Sequence, residues 1–499
     1  MNMAKFKEPE LWKHQAEGVE KALAAYEAYK KGYAFFFDPG TGKTLSTIKV
    51  LREIFNKERR IAPTLIFAPI ITLQNWRDEW EKFSKVDRRK ILILEGPVAK
   101  RIEMLEKAIA KHNGQLIVIT NYDGVAKPNK DGKSKNQVAF YEALRKWAPE
   151  FVVLDESHRI RTHNAKRTWC VTKICEGARF RLLLTGTPLL NKNAMDIYAQ
   201  FRAMDGGDTF GRNFFAFRGN WFVDKNHGMP KDKYFPNWEI RDGVYKKMND
   251  LIYRHAMSAK KQDCLDLPPL VKLRINVALS PEQTKLYLEM KRDFITWLED
   301  RKTGENKAIV ANLALTKALR LQQIVTGIAK FEEEDEPRLL KRTPREAALE
   351  EILSDVAPAH KVLVWCVFKK NYDQVRRICE KLKLDYREAH GSVSNKAKYA
   401  AVDDFNNDPN VRVFIGHPAA LGIGINLIAA SYSVYYSRNF SLENDLQSEA
   451  RNYRGGSDIH AKITRIDLVA PATIDETILE TLEGNLNINE EILGWKDRI

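Results

Sequence analysis

The sequence predicts an α/β protein built as two parallel-sheet lobes, and three features of the chain carry that expectation. Short apolar runs alternate with amphipathic segments of helical period between Tyr33 and Thr185. The texture then turns aromatic, charged and helical from Asp205 to Arg345, and strand-like runs return from Lys361 onward. A strand covered by helices on both faces must be apolar almost throughout, so this alternation is the signature of a parallel sheet.

In chain order, the expected strands of the first lobe are Tyr33 to Phe37, Thr64 to Ala68, Ile91 to Leu94, Leu116 to Thr120, Phe151 to Leu154 and Leu182 to Thr185. Those of the second are Lys361 to Val367, Val411 to Ile415, Ser433 to Tyr436 and Ile463 to Val469. Leu267-Pro268-Pro269 and the acidic run Glu332 to Glu336 interrupt the stretch between them. The domain reading is a first lobe over residues 1–255, with an aromatic and helical insertion over 205–255. A linker with a helical insertion follows over 256–345, then a second lobe over 346–499.

At 499 residues the chain exceeds what one core ordinarily serves. Its 44% hydrophobic and 29% charged residues suit a soluble globular protein rather than a disordered or fibrous one. No window supplies the ~18 uncharged apolar residues of a membrane span, and Met1 to Lys7 lacks an apolar signal core. The expected location is therefore the cytosol or nucleoid. Cys170, Cys175, Cys264, Cys366 and Cys379 form no C-x-x-C and no zinc spacing with histidines, so they read as reduced thiols. The net charge of +15 favours a polyanionic partner. The excess is spread over clusters at Lys85 to Lys90, Lys127 to Lys135, Arg159 to Arg167 and Lys260-Lys261, each of which alone reads as a solvated face.

The chemistry begins at Phe35-Phe36-Phe37-Asp38-Pro39-Gly40-Thr41-Gly42-Lys43-Thr44, an apolar strand entering a glycine-bearing turn before the helical stretch Leu45 to Phe55. Glycines let backbone N–H groups wrap phosphates at a helix N-terminus; Lys43 is placed for the β and γ phosphates and Thr44 for magnesium. Phe37 stands where the G-x-x-x-x-G-K-[ST] pattern has its first glycine. The strand Phe151 to Leu154 then delivers adjacent carboxylates, Asp155 as a magnesium ligand and Glu156 to orient and deprotonate the attacking water. Leu182 to Thr185 runs into Gly186-Thr187-Pro188, whose hydroxyls, with His158, are placed to sense that pair. Much later, Gln447, Arg451 and Arg454 have the i, i+4, i+7 spacing of one helix face, and two guanidiniums aimed at a γ-phosphate would stabilise transition-state charge.

Asp155-Glu156-Ser157-His158-Arg159-Ile160, a DEAH-like box, and the Leu-Thr-Gly-Thr-Pro run ending at Pro188 resemble helicase superfamily two, and closely its Swi/Snf branch of ATP-driven DNA translocases. The resemblance implies two RecA-like lobes with family-specific helical insertions, and it extends along most of the chain. Leu11 to Val19 resembles the opening motif, whose glutamine reads adenine, so Gln15 inherits that role. Ile66 to Pro69 with Gln74-Asn75-Trp76 resembles a motif that meets the DNA backbone. Leu267-Pro268-Pro269, Leu279-Ser280-Pro281-Glu282-Gln283 and Leu319-Arg320-Leu321-Gln322-Gln323-Ile324 match the linker and insertion that generic helicases lack. Leu421 to Leu427 resembles the glycine loop linking the DNA and ATP sites.

By resemblance, the ATP set is Gln15, Gly40, Thr41, Gly42, Lys43, Thr44, Gly424 and Gln447, with Mg2+ on Thr44 and Asp155. Pro69, Thr120, Asn121, Tyr122, Gly391, Ser392 and Gly422 are the implied nucleic-acid contacts, and His158, Thr185 and Thr187 the coupling residues. Double-stranded DNA is the implied partner, with branched or single-stranded DNA also open. Asp38-Pro39-Gly40, Gly416-His417-Pro418-Ala419-Ala420 and Gly455-Gly456-Ser457 depart from the family's usual wording without removing a catalytic group. No room is left for histone-reading or nuclease modules, so a compact bacterial or phage-like member is expected. A strand-separating DNA or RNA helicase shares every catalytic residue, and a non-hydrolysing DNA-binding scaffold is a further alternative. Phe210 to Trp238 interleaves aromatic residues with Arg212 and Arg218, which fits either the core of an insertion or a base-stacking surface.

Overall fold

A computed structural model describes residues 8–125, 135–186, 188, 194–229, 236–264, 266–300, 307–329, 337–419 and 425–484. Thr187, Gly422 and Gly424 lie outside the described residues, as do most of the Lys127 to Lys135 cluster and the acidic run. The chain divides near residue 265 into two compact units.

The first unit is a seven-stranded parallel sheet. Its strands are β1 (Gly32–Phe37), β2 (Thr64–Phe67), β3 (Ile91–Leu94), β4 (Ile117–Thr120), β5 (Phe151–Asp155) and β6 (Phe180–Leu184). An antiparallel hairpin, β7 (Phe222–Asp224) and β8 (Trp238–Ile240), stands apart, and β9 (Ala256–Ala259) completes the sheet in the order β3-β4-β2-β5-β6-β1-β9. The helices are α1 (Lys13–Glu27), α2 (Lys43–Glu58), α3 (Leu73–Phe83), α4 (Val98–His112) and α5 (Lys135–Trp147). They continue as α6 (Lys166–Cys175), α7 (Asp196–Asp205), α8 (Phe214–Trp221), α9 (Tyr245–Tyr253) and α10 (Lys261–Cys264). Alternation along β1 divides its side chains between two cores: Phe35 and Phe37 pack with Ile48, Trp76 and Trp80, whereas Ala34 and Phe36 pack with Leu105, Phe140 and Phe201. Phe210, Phe217 and Phe222 join the second of these cores, which gives the aromatic insertion a packing role.

The second unit carries six parallel strands. They are β10 (Leu270–Asn276), then, after the short ribbon β11 (Ile328–Ala329) and β12 (Arg338–Leu339), β13 (Lys361–Trp365), β14 (Asp385–Ala389), β15 (Val411–Gly416), β16 (Ala430–Tyr435) and β17 (Ile463–Val469). Their order is β10-β17-β16-β13-β15-β14. Its helices are α11 (Pro281–Asp300), α12 (Lys307–Val325), α13 (Pro344–Val356), α14 (Lys369–Lys381), α15 (Asn395–Asn407), α16 (Leu442–Glu449) and α17 (Ile474–Gly484).

The 256–345 stretch is therefore not a separate linker segment. Ala256 pairs with Ala34 in the first sheet, and Leu270 to Asn276 pair residue by residue with Ile463 to Val469 in the second. Neither strand stood out in the sequence because β9 is short and β10 is a half-exposed edge strand carrying Lys272 and Arg274. The two insertion motifs work inward. Gln283 Nε2 donates to the carbonyls of Ile324 at 2.9 Å and Val325 at 3.1 Å, and Gln322 Nε2 to that of Arg438 at 2.6 Å. Tyr287, Phe294, Leu321, Ile474 and Ile478 share one core, so α11 and α12 pack on α17.

Arg345, 2% exposed, forms an ion pair with Asp475 and donates to the Tyr436 carbonyl at 2.7 Å, tying α13 and α17 to the end of β16. Truncating one member of a buried pair strands the other charge, so Arg345→Ala is expected to lower stability by about 3–5 kcal/mol. Equilibrium urea unfolding checks this; a loss below about 1 kcal/mol would contradict it.

Candidate active site

Three adjacent strands, β5, β6 and β1, end side by side and supply the polar groups of the first unit's site. After β1 the chain turns through Gly40 and Gly42, both in the left-handed region at φ 90° and 86°, into the N-terminus of α2. Gly42 tolerates no side chain, because a Cβ there would fall 1.9 Å from Gln15 Nε2. Gln15 accepts from the Trp12 backbone N–H at 3.0 Å and donates to the Thr41 carbonyl at 3.2 Å, and His14 Nε2 donates to the same carbonyl at 2.8 Å. The start of α1 thus braces the loop through the Thr41 carbonyl. Thr41 Oγ1 closes the turn on the Asp38 carbonyl at 2.8 Å, and the Lys43 ammonium donates to the Phe37 carbonyl at 2.8 Å. Asp38 accepts from the Lys261 backbone N–H at 3.0 Å, anchoring the loop to the segment after β9.

Asp155 ends β5 with 4% of its surface exposed. Its Oδ2 accepts from Trp76 Nε1 at 2.9 Å and its carbonyl from the Tyr122 hydroxyl at 2.7 Å. Burial, and then the neighbouring Glu156 carboxylate, push the Asp155 carboxyl up to about 7, while the Trp76 bond and the Lys43 charge oppose the rise. Glu156 sits at φ 50°, a left-handed conformation for a residue with a side chain, where the strand breaks into the short Ser157–Ile160 turn. Its Oε2 lies 3.4 Å from His158 Nδ1, and that nitrogen lies 3.1 Å from Thr185 Oγ1 at the end of β6. Gly186, next along, would place a Cβ 2.8 Å from Pro39 Cδ, so the β6 turn sits directly against the phosphate loop. Ser157 donates to Gln200 at 2.7 Å, and Gln200 donates to the Pro188 carbonyl at 2.9 Å, clamping the two turns together from α7.

Hard oxygen ligands and a lysine beside a glycine turn suit a phosphate chain carrying Mg2+. Among the described residues no group of three His, Cys, Asp or Glu side chains is gathered that could hold a metal ion by itself.

Pro69, Thr120, Asn121 and Tyr122, the four first-unit residues expected at the nucleic acid, are buried. Thr120 donates to the Leu94 carbonyl at 3.1 Å, and Asn121 accepts from Arg101 at 2.6 Å. Tyr122 stacks on Phe67 while bonding to Asp155, and the Pro69 carbonyl caps Thr72. These groups stand at strand ends where the core closes, so their polar atoms are spent internally. Gly391 and Ser392 in the second unit are exposed.

The expected continuous helix through Arg454 is also corrected. α16 ends at Glu449, and Arg451 to Gly456 form turns. The Arg451 carbonyl accepts from the Leu427 N–H at 2.9 Å, Asn452 donates to the Ala430 carbonyl at 3.2 Å, and Gly456 turns at φ 94°. Tertiary bonds outcompete the next helical turn. Arg451 is 3% exposed and donates to the Ile425 carbonyl at 3.3 Å; Arg454 is half-buried; Gln447 donates to Glu443 at 3.0 Å.

Sequence reasoning missed the groups that hold these residues. Trp76 was visible only as a motif member, and Gln200 carried no signal. Arg465, on β17, donates to both Asp445 oxygens at 2.9 and 3.0 Å, to Glu449 at 2.9 Å and to Asp467 at 3.1 Å. Its guanidinium lies 4.2 Å from the Tyr435 ring, whose hydroxyl bonds Ser448 at 2.8 Å, so this buried network fixes α16 and the arginine turn after it.

The raised Asp155 pKa has a sign that can be tested. An acid whose folded pKa lies above its unfolded value opposes folding once ionised, so stability present at low pH is lost as pH rises through about 7. Without divalent cations, Asp155→Asn is expected to match wild type near pH 4 and to gain a stability advantage that grows up to pH 7 and then levels. Urea unfolding across that range checks it, and an advantage independent of pH would contradict the assignment.

With this geometry in hand, comparison with known proteins places the chain. The SNF2-related domain matches residues 14–327, and the helicase conserved C-terminal domain matches residues 344–456. The chromatin structure-remodeling complex subunit snf21 of Schizosaccharomyces pombe is 24% identical, over 97% of this chain and 39% of its own length. An uncharacterized ATP-dependent helicase of Mycoplasma pneumoniae is 27% identical, over 94% of this chain and 40% of its own. The chain thus spans about two-fifths of these relatives. The Sulfolobus solfataricus SWI2/SNF2 ATPase core in complex with dsDNA aligns over 97% of this chain and 92% of its own, at 21% identity and a TM-score of 0.44. The chain belongs to the SNF2-related family.

Proposed function

We propose that this protein is an ATP-hydrolysing DNA translocase that moves along duplex DNA. The observation that carries the reading is the gathering of polar groups at the ends of β1, β5 and β6: Glu156 meets His158, His158 meets Thr185, and the turn after Thr185 lies against the glycine loop that carries Lys43.

In this reading Gln15, Gly40, Thr41, Gly42, Lys43 and Thr44 seat the nucleotide, joined by Gly424 and Gln447. Lys43 leaves the Phe37 carbonyl for the β and γ phosphates. Thr44 and Asp155 hold Mg2+, which neutralises phosphate charge when bound. Glu156 takes the proton of the attacking water, oriented by its left-handed turn and by His158. Arg451 and Arg454 bring positive charge to the γ-phosphate. His158, Thr185 and Thr187 carry the state of the phosphate to the loop beside Pro39. Gly391, Ser392 and Gly422 hold the backbone of DNA, with branched and single-stranded forms as further substrates. The charge of +15 and the chromatin-remodelling names of relatives support a DNA partner. No described helix is long and apolar enough to cross a membrane, and a cytoplasmic, nucleoid-associated setting fits the proposed substrate.

Lys43→Ala should abolish hydrolysis while sparing DNA binding, and Glu156→Gln should retain bound ATP without turning it over. Arg451→Ala should slow turnover by roughly 10³-fold or more with a modest loss of ATP affinity. Wild-type turnover in any of the three would remove that residue from the site. Stimulation by duplex DNA over single strands and RNA, with triplex displacement in the absence of strand separation, is the expected behaviour of a translocase. Unwinding of a blunt duplex would favour the helicase alternative, and the absence of any ATP turnover would favour the scaffold.

A further inference from the structure

The aromatic insertion of the first unit has two faces, and only one of them is spent in the core. Phe210, Phe217 and Phe222 are buried. Phe215, two residues from Phe217 on α8 and so on the opposite side of the helix, is 66% exposed. A single exposed ring is ordinary on a protein surface; the groups around this one are not.

Arg218 stands three residues after Phe215 and four after Phe214, on the same helix face. Its guanidinium carbon lies 4.1 Å from the ring centre of Trp238 on β8, 5.3 Å from that of Phe215 and 5.8 Å from that of Phe214. Phe214 is stacked in turn on His163, with 3.5 Å between ring centres and planes 12° apart. Three rings thus hold the guanidinium through attraction to their faces, which uses none of its N–H groups. Among the described residues no hydrogen bond or ion pair engages Arg218. Glu239, the carboxylate beside Trp238, alternates to the other face of the β7 and β8 hairpin and lies 3.9 Å from Lys225. Arg212, just before the helix, and Lys166, three residues past His163, are exposed as well.

This surface is chemically selective. A cationic side chain, which a cluster of rings would otherwise take, finds the cation position already filled by Arg218. A purely apolar partner would cover the guanidinium N–H groups without offering acceptors. A nucleotide suits both halves, since its base has a π-face for Phe215 and its oxygens accept from Arg218. In a duplex that face is hidden by the neighbouring base pairs, so only an unpaired nucleotide can present it.

We infer that the surface formed by Phe215, Arg218 and Trp238 holds an unpaired nucleotide, its base stacked on Phe215 and its oxygens bonded to the Arg218 guanidinium. The inference rests on the DNA-translocating reading and specifies which substrate the first unit favours, a duplex that carries an unpaired strand. The surface leans on α7, where Tyr198 lies 5.4 Å from Phe214, edge to face, and 4.9 Å from Phe217. α7 also carries Gln200, which clamps the two turns of the candidate active site, so one helix connects a seated base to that site.

The test is affinity for a blunt duplex, for the same duplex with a single-stranded overhang, and for that duplex with the overhang made abasic. The proteins are wild type, Phe215→Leu, Phe215→Trp and Arg218→Gln, with thermal melting to confirm folding. Wild type should lose about tenfold in affinity when the bases are removed, the size of one stack of a base on an aromatic ring. Phe215→Leu keeps an apolar side chain but no ring. It should bind the intact overhang about tenfold more weakly and no longer tell it from the abasic one, because ring and base are two halves of one contact. Phe215→Trp should behave as wild type, Arg218→Gln should weaken overhang binding, and blunt-duplex affinity should be unchanged in all three. A Phe215→Leu variant that still distinguishes the two overhangs overturns the inference while leaving DNA translocation standing. An equal loss on the blunt duplex also overturns it, by making the surface a general DNA contact. If wild type binds no DNA of any form, the general reading fails first and this one with it. Overhangs of deoxyribonucleotides and of ribonucleotides show which strand supplies the base, and a wild type that senses the bases of neither overturns the inference.

Discussion

A parallel strand buried on both faces leaves only its ends for polar chemistry, and everything functional in this molecule follows from that restriction. All residues of β1, β2, β4, β5 and β6 are buried. Phosphate loop, carboxylates and hydroxyls are consequently gathered where β1, β5 and β6 run out. The same restriction acts in the second unit, where Trp365, Gly416 and Ala389 end β13, β15 and β14 in one row.

Crowding polar groups at strand ends carries an electrostatic cost that the structure distributes. Asp155 and Glu156 are adjacent and nearly buried, and desolvation together with mutual repulsion raises the Asp155 pKa. Trp76 and Lys43 offset part of that, and a divalent cation would offset the rest. Glu156 in a left-handed conformation is backbone strain retained at the candidate site. In the second unit the opposing charges of Arg465, Arg438, Asp445, Glu449 and Asp467 are packed into one buried cluster, with Tyr435 against both guanidiniums, which fixes the turn carrying Arg451. Such a cluster holds geometry more than it adds stability.

The legible part of the fold was the part with strong periodicity. Ten expected strands all appear, because full burial forces continuous apolar runs. Three of the four edge strands escaped notice, the apolar β3 being the exception: β9 is short, β10 exposes Lys272 and Arg274, and β14, Asp385 to Ala389, is mostly charged. An edge strand owes its place to the neighbour it pairs with rather than to its own composition. The arginine motif shows the converse failure. Its i, i+4, i+7 spacing was genuine, yet bonds from Leu427 and Asn452 end the helix before Arg451.

For the candidate site, the sequence by itself picked out the groups proposed to act: Lys43, Asp155, Glu156 and the glycines at positions 40 and 42 stand in local patterns whose chemistry depends on residue type and short spacing. Tertiary structure alone decided what each group leans on. Trp76 on Asp155, Gln15 on Thr41, Gln200 between two turns and Arg465 beneath α16 are contacts across long stretches of chain, and no local pattern encodes them. It also decided that Thr120, Asn121 and Tyr122 face inward. The reason is physical: the identity of a donor is written in one residue, but its direction is set by whichever distant partner satisfies the rest of its hydrogen bonds.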